Sequence, residues 1–64
     1  MEHIDVVSTN ITYIEYDNSI LKVGFTSGKS YEYKDVPQEI FEAFKNSESK
    51  GKYFAKYIKN KFLL

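Results

Sequence analysis

Ile20-Leu21-Lys22-Val23-Gly24-Phe25, Thr26-Ser27-Gly28-Lys29 and Ser30-Tyr31-Glu32-Tyr33-Lys34 are the consecutive runs that decide the fold. In the first, Leu21, Val23 and Phe25 fall on one face and Lys22 and Gly24 on the other, the period of a half-buried strand. In the third, Tyr31 and Tyr33 alternate with Ser30, Glu32 and Lys34. The four residues between them form a turn in which Gly28 is free to take a positive φ. Upstream, Ile11-Thr12-Tyr13-Ile14-Glu15-Tyr16 is β-branched and aromatic, which suits a pleated surface. Asp17-Asn18-Ser19 then supplies turn formers whose side chains bond their own backbone. Such short connections join antiparallel neighbours, so a three-stranded meander is expected.

Asp35-Val36-Pro37 ends the strands, because proline cannot donate to a ladder but fits the first turn of a helix. Glu39 and Glu42 lie early in the next segment, where acidic groups complement the helix dipole. Ile40, Phe41 and Phe44 recur at helical spacing and predict a helix over residues 37–45. Ser47 and Ser49 are candidate caps for a second helix over residues 50–61, with an apolar stripe of Tyr53, Phe54, Tyr57, Ile58 and Phe62. Lys52, Lys56 and Lys59 fall opposite that stripe, so this helix is amphipathic and basic. Residues 1–10 are ambiguous: Val6 and Val7 suit a strand or a segment tucked under the helices. The expected fold is α+β, a three-stranded antiparallel meander followed by two helices on one face, in the order βββαα.

The chain has 64 residues, of which eleven are Phe or Tyr, and is expected to be one small domain over 1–64 with its core over about 6–62. A domain of this length buries only about 60% of the surface its unfolded chain exposes. Aromatic rings offset that, because each can bury roughly 150–250 Å². No run of 18 apolar residues and no signal-peptide pattern is present, and there is no cysteine, so the reading is of a cytoplasmic, non-membrane protein. Nine lysines balance nine acidic residues. The balance hides a division: residues 1–43 hold three lysines and eight carboxylates, for −5, while residues 44–64 hold six lysines and Glu48, for +5. Attraction between the two halves within one compact fold accounts for this; a polyanionic partner at the basic end is the sharper alternative.

Enzymatic chemistry finds no support. His3, the one histidine, lies near the N-terminus and reads as part of a frayed end. The carboxylates at helical spacing, Asp35/Glu39 and Glu39/Glu42, surround a helix start, where they serve the dipole. No phosphate-cradling glycine loop and no set of nitrogen or sulfur metal ligands occurs, so no catalytic residue, metal or cofactor is expected. Two constellations remain. Tyr31 and Tyr33, with Tyr13, Tyr16 and Phe25 near them, either stack bases from an open sheet face or turn inward as core. Lys50, Lys52, Lys56 and Lys59, interleaved with Tyr53 and Tyr57, either hold a phosphate backbone or form a solvated helix face.

Taken together, several runs carry a family resemblance. Ser8-Thr9-Asn10-Ile11, Ile14-Glu15-Tyr16-Asp17, Leu21-Lys22-Val23-Gly24-Phe25, the segment 27–37 and Ser49-Lys50-Gly51-Lys52-Tyr53-Phe54 follow one another. Their marks are Tyr31-x-Tyr33 after Ser27-Gly28, then Val36-Pro37, then Ser49-x-Gly51-x-Tyr53-Phe54. In this order and spacing they resemble the KTSC domain, found at the C-terminus of some lysyl-tRNA synthetases and as small stand-alone proteins of bacteria and phages. The resemblance covers about residues 6–62 and implies the stand-alone form. Ala55 departs from it, standing where the family often has Asn.

The association with a synthetase implies RNA binding, of a tRNA-like partner, and matches the basic helix. The function expected is therefore a small non-catalytic binding module that grips RNA through Lys50, Lys52, Lys56 and Lys59 and stacks bases on Tyr31 or Tyr33. A bacterial or phage protein–protein adaptor or inhibitor, with homodimerisation as a variant, is the second reading. Exposure of Tyr31 and Tyr33 divides the two.

Overall fold

The computed structural model describes residues 2–59, 61 and 62. Four strands, β1 (Glu2–Asp5), β2 (Ile11–Asp17), β3 (Ile20–Phe25) and β4 (Ser30–Tyr33), form an antiparallel sheet in the order β1-β2-β3-β4. Helix α1 (Gln38–Asn46) and helix α2 (Lys50–Tyr53) follow, and α2 runs on as a π-helical turn, Phe54–Ile58. The α+β class and the succession of strands then helices match expectation. The strand count does not: the sheet has four strands, not three.

The added strand comes from the segment that was ambiguous. β1 pairs with β2 in the register Glu2↔Tyr16, His3↔Glu15, Ile4↔Ile14 and Asp5↔Tyr13. Its one apolar residue, Ile4, packs against the core, and the other three are polar or charged. Ladder hydrogen bonds and cross-strand pairs hold such a strand, and neither leaves a hydrophobic pattern in a four-residue edge segment. Lys45 also fastens it, its Nζ lying 3.0 Å from Glu42 and 3.6 Å from Glu2. His3 is therefore an ordered sheet residue and not a frayed end. Val6 packs against the core, and Val7 is fully exposed.

The turns obey local chemistry. Asn18 and Ser19 both have positive φ, 51° and 66°, as the tight hairpin turn matching strand twist demands. The Ser19 carbonyl accepts a hydrogen bond from the Val36 amide at 2.9 Å, which anchors this strained turn to the far end of the sheet. Gly28, at φ 93°, shapes the β3–β4 loop. In β2 a bulge lies between Ile11 and Tyr13, so Thr12 is the extra residue. Ile11 and Ile14 both reach the core although they are three residues apart.

The core lies between the sheet and the helices. Ile14, Leu21 and Val23 from the strands meet Phe41, Phe44, Phe54 and Ile58 from the helical half, all buried. Tyr16 stacks on Phe41, centroids 4.5 Å apart, and its hydroxyl donates to the Val36 carbonyl at 2.6 Å. Pro37 precedes α1 and Glu39 occupies its first turn, as expected. Ser47 closes α1: its Oγ donates to the Phe44 carbonyl at 2.9 Å. Ser49 stands at the start of α2 but makes no side-chain cap. The second helix is shorter than the expected 50–61 and wider at its end. The Lys59 amide donates to the Phe54 carbonyl, five residues back, at 2.9 Å. Asn60, within the expected span, lies outside the described residues.

The opposite sheet face carries a row across all four strands, His3, Glu15, Lys22 and Glu32, in direct register. Beside it the Tyr13 ring covers Gly24 and stacks on His3 at 5.3 Å. No helix among the described residues is long and apolar enough to cross a membrane.

Candidate nucleic-acid interface

Between the β3–β4 hairpin and the second helix lies an open groove of about 610 Å³. The register Leu21↔Tyr33 and Val23↔Tyr31 sends both tyrosines to the helix side of the sheet, the side on which Leu21 and Val23 are buried. Their environments differ. Tyr33 lies under Phe54 and is 5% exposed; Tyr31 lies one pair further out, past the cover of the helix, and is 50% exposed. Phe54 is the hub of the groove floor. It meets Phe25 edge-on at 5.4 Å and Tyr33 edge-on at 5.5 Å, and Phe25 in turn meets Tyr31 at 5.7 Å. Each such contact contributes about 0.5–1.5 kcal/mol beyond area burial, so Phe25, itself packed on Phe54, braces the Tyr31 ring.

The helix wall presents Gly51, Ala55 and Lys59, one helical turn apart, and the hairpin supplies Thr26, Ser27 and Lys29. Gly51 and Ala55 leave depth: a Cβ added at Gly51 meets only the Asn10 amide, at 3.9 Å. Thr26 is fixed by its amide on the Asn10 carbonyl at 2.9 Å and its hydroxyl on the Thr9 carbonyl at 3.2 Å. Two lysines line the groove, and none of the described residues lining it is acidic. Burial, and secondarily the neighbouring Tyr31, pushes the Tyr33 phenol above its ordinary value, so it stays a neutral donor. The groove therefore offers an aromatic floor, cationic sides and neutral hydrogen-bonding groups.

The six residues singled out from sequence do not form one site. Tyr31, Tyr33 and Lys59 come together in the groove. Lys50 turns elsewhere: its Nζ donates to the Ser47 carbonyl at 2.8 Å, and it lines a second cavity of about 340 Å³ with Asp5, Lys45 and Glu48. Lys52 and Lys56 are exposed and line neither cavity; the Lys56 ammonium lies 5.3 Å above the Tyr57 ring. Sequence reasoning placed Lys29 in the turn before β4, where the structure also has it, and missed that this turn opens onto the groove. The signal was present, since Lys29, Tyr31 and Tyr33 are spaced by two and so share a face. Ala55 as a wall of the groove was also missed, although its spacing of four from Gly51 and from Lys59 puts the three on one helix face.

The KTSC domain family model matches residues 7–62. The chain belongs to the KTSC domain family. A KTSC domain protein from Yersinia pestis, known from its crystal structure, is similar over 97% of this chain and 90% of its own, with 36% identity and a TM-score of 0.91. An uncharacterised protein of Stutzerimonas stutzeri is 33% identical over 61 residues, which is 86% of its length. Lysine–tRNA ligases of Trichormus variabilis and Nostoc punctiforme are 46% and 44% identical over 48 residues. This KTSC domain spans about 9% of the length of those ligases, so the similarity concerns one module of each. The family description names a domain and no reaction.

Proposed function

We propose that this KTSC domain is a non-catalytic RNA-binding module of the cytoplasm, with tRNA as its first candidate partner. The observation that supports the reading is the groove that the half-exposed Tyr31 lines together with Lys29 and Lys59, with no acidic residue among its described lining. Ammonium groups on either side of an aromatic floor suit a phosphate backbone and a stacked base, the latter worth about 1–3 kcal/mol. The occurrence of similar modules in lysine–tRNA ligases favours RNA over other polyanions. In this reading Lys59 keeps the role expected of it and Lys29 joins it. Lys50, Lys52 and Lys56 contribute at most long-range attraction, and Tyr33 supports the floor and does not stack. A protein partner or a second copy on the open sheet face is less favoured, because covering the His3–Glu15–Lys22–Glu32 row would desolvate charges.

Titrating tRNA into labelled protein tests the reading. Amide signals of residues 29–33 and 51–59 should move, and the affinity should fall as salt rises. Unchanged spectra at near-millimolar RNA would exclude RNA binding. Co-purification of a single protein that survives nuclease treatment would favour the adaptor reading instead.

A further inference from the structure

We infer that the groove takes an unpaired nucleotide, so the ligand is single-stranded RNA and not a duplex; this rests on the RNA-binding reading above. The Tyr31 ring faces a concave space bounded by the β3–β4 hairpin on one side and Gly51, Ala55 and Lys59 on the other. In a duplex both faces of each base are covered by its neighbours, and a protein surface meets the backbone, the 2′-hydroxyls and base edges but no stacking face. A base reaches the Tyr31 ring by leaving its stack. One aromatic stack is worth roughly 5–150-fold in affinity, and unstacking and unpairing a base costs a comparable factor. A single tyrosine does not open a helix; it captures a base that is already free. The volume, about 610 Å³, falls within the roughly 300–1,000 Å³ of sites that enclose small molecules. It is large enough for a base and its sugar. The Asn10 amide and the Ser27 hydroxyl line the same space and can meet the edges of the base, while Lys29 and Lys59 meet the adjoining phosphates.

The expected salt response is modest. Two ammonium groups on a single strand give a log–log slope of about −1.4. Engagement of the whole lysine-rich helix would be steeper.

The test measures the anisotropy of a labelled ten-nucleotide RNA of unstructured sequence, alone and annealed to its complement, with the full chain at several salt concentrations. The single strand should bind at least tenfold tighter than the duplex. Tyr31→Phe should match the wild type within about twofold, and Tyr31→Ala should lose about 5–150-fold. Ala55→Leu, which fills the groove without changing charge, should lose at least tenfold. Both positions are exposed, so the variants should keep the wild-type amide spectrum. Equal or tighter binding of the duplex overturns the inference while the RNA-binding reading stands. Binding of neither probe overturns both. A single-strand preference unaffected by Tyr31→Ala and Ala55→Leu removes the site from the groove.

Discussion

The His3 imidazole is held between two carboxylates, with Nδ1 2.6 Å from Glu15 and Nε2 2.9 Å from Asp5. The Tyr13 ring is stacked on it, and Lys22 stands opposite Glu15 on the next strand. The Glu15 hydrogen bond first, and the Asp5 bond second, raise its pKa above the ordinary 6.5. Protonation is therefore favoured in the folded state. The stabilisation is fully present below pH 6.5, where the unfolded chain is protonated too, and is lost as pH rises through the folded value. In His3→Gln the fall in urea midpoint between about pH 6 and pH 8 should be smaller than in the wild type. Identical pH profiles would show that protonation of His3 makes no net contribution to stability. From sequence His3 reads as a terminal residue, because a lone histidine carries no sign of its partners until the register brings Glu15 across from it.

At the scale of the element, the bulge in β2 explains how that strand faces two ways. Strict alternation would put Ile11 and Ile14 on opposite faces; the extra Thr12 lets both reach the core. Two deletions distinguish the bulge from the regular ladder. Removal of Thr12 restores plain alternation with Ile11 and Ile14 still inward, so the cost should be near the value of two hydrogen bonds, its hydroxyl to the Gly24 carbonyl and the Val6 amide to its carbonyl, about 2 kcal/mol. Removal of Glu15, inside the regular ladder, rotates either Tyr16 or both isoleucines out of the core. At about 1.5–3 kcal/mol for each large apolar side chain, the latter would consume most of the stability of a chain this short. Urea unfolding of the two variants checks this, and equal midpoints would refute it. The meander β2–β4 and both helices are legible in the sequence because alternation, turn residues and i,i+4 spacing are local. β1 is not, since what defines it is pairing with residues about a dozen positions away, and the π-helical turn is not, since packing sets its width.

For the whole molecule, ligand binding and stability are linked. A ligand that binds only the folded state adds about 2.7 kcal/mol at a concentration of 100 Kd. For a domain of this size that corresponds to roughly 11–22 °C in Tm. Single-stranded RNA at that level should raise the Tm by this order, and the shift should shrink at 0.5 M salt. An unchanged Tm at low salt would argue against the site. The charge division takes part in the fold as well. Lys45, at the boundary between the halves, joins Glu2 and Glu42, and Lys50 is held on the end of α1. Part of the positive excess is thus taken up within the fold, leaving Lys59 in the groove and Lys52, Lys56 and Lys61 exposed.

The sequence by itself determined the α+β class, the hairpins of the meander, the two helical segments and the family, because all of these rest on short-range periodicity and on motifs in a fixed order. Only the tertiary structure shows the fourth strand, the different exposure of Tyr31 and Tyr33, and the meeting of Lys29 with Lys59 in one groove that Lys50, Lys52 and Lys56 do not line. The physical reason is the same in each case. Period two states which tyrosines share a face but not how far the helix covers that face, and amphipathicity states which lysines avoid the core but not which of them meets a groove built by another element.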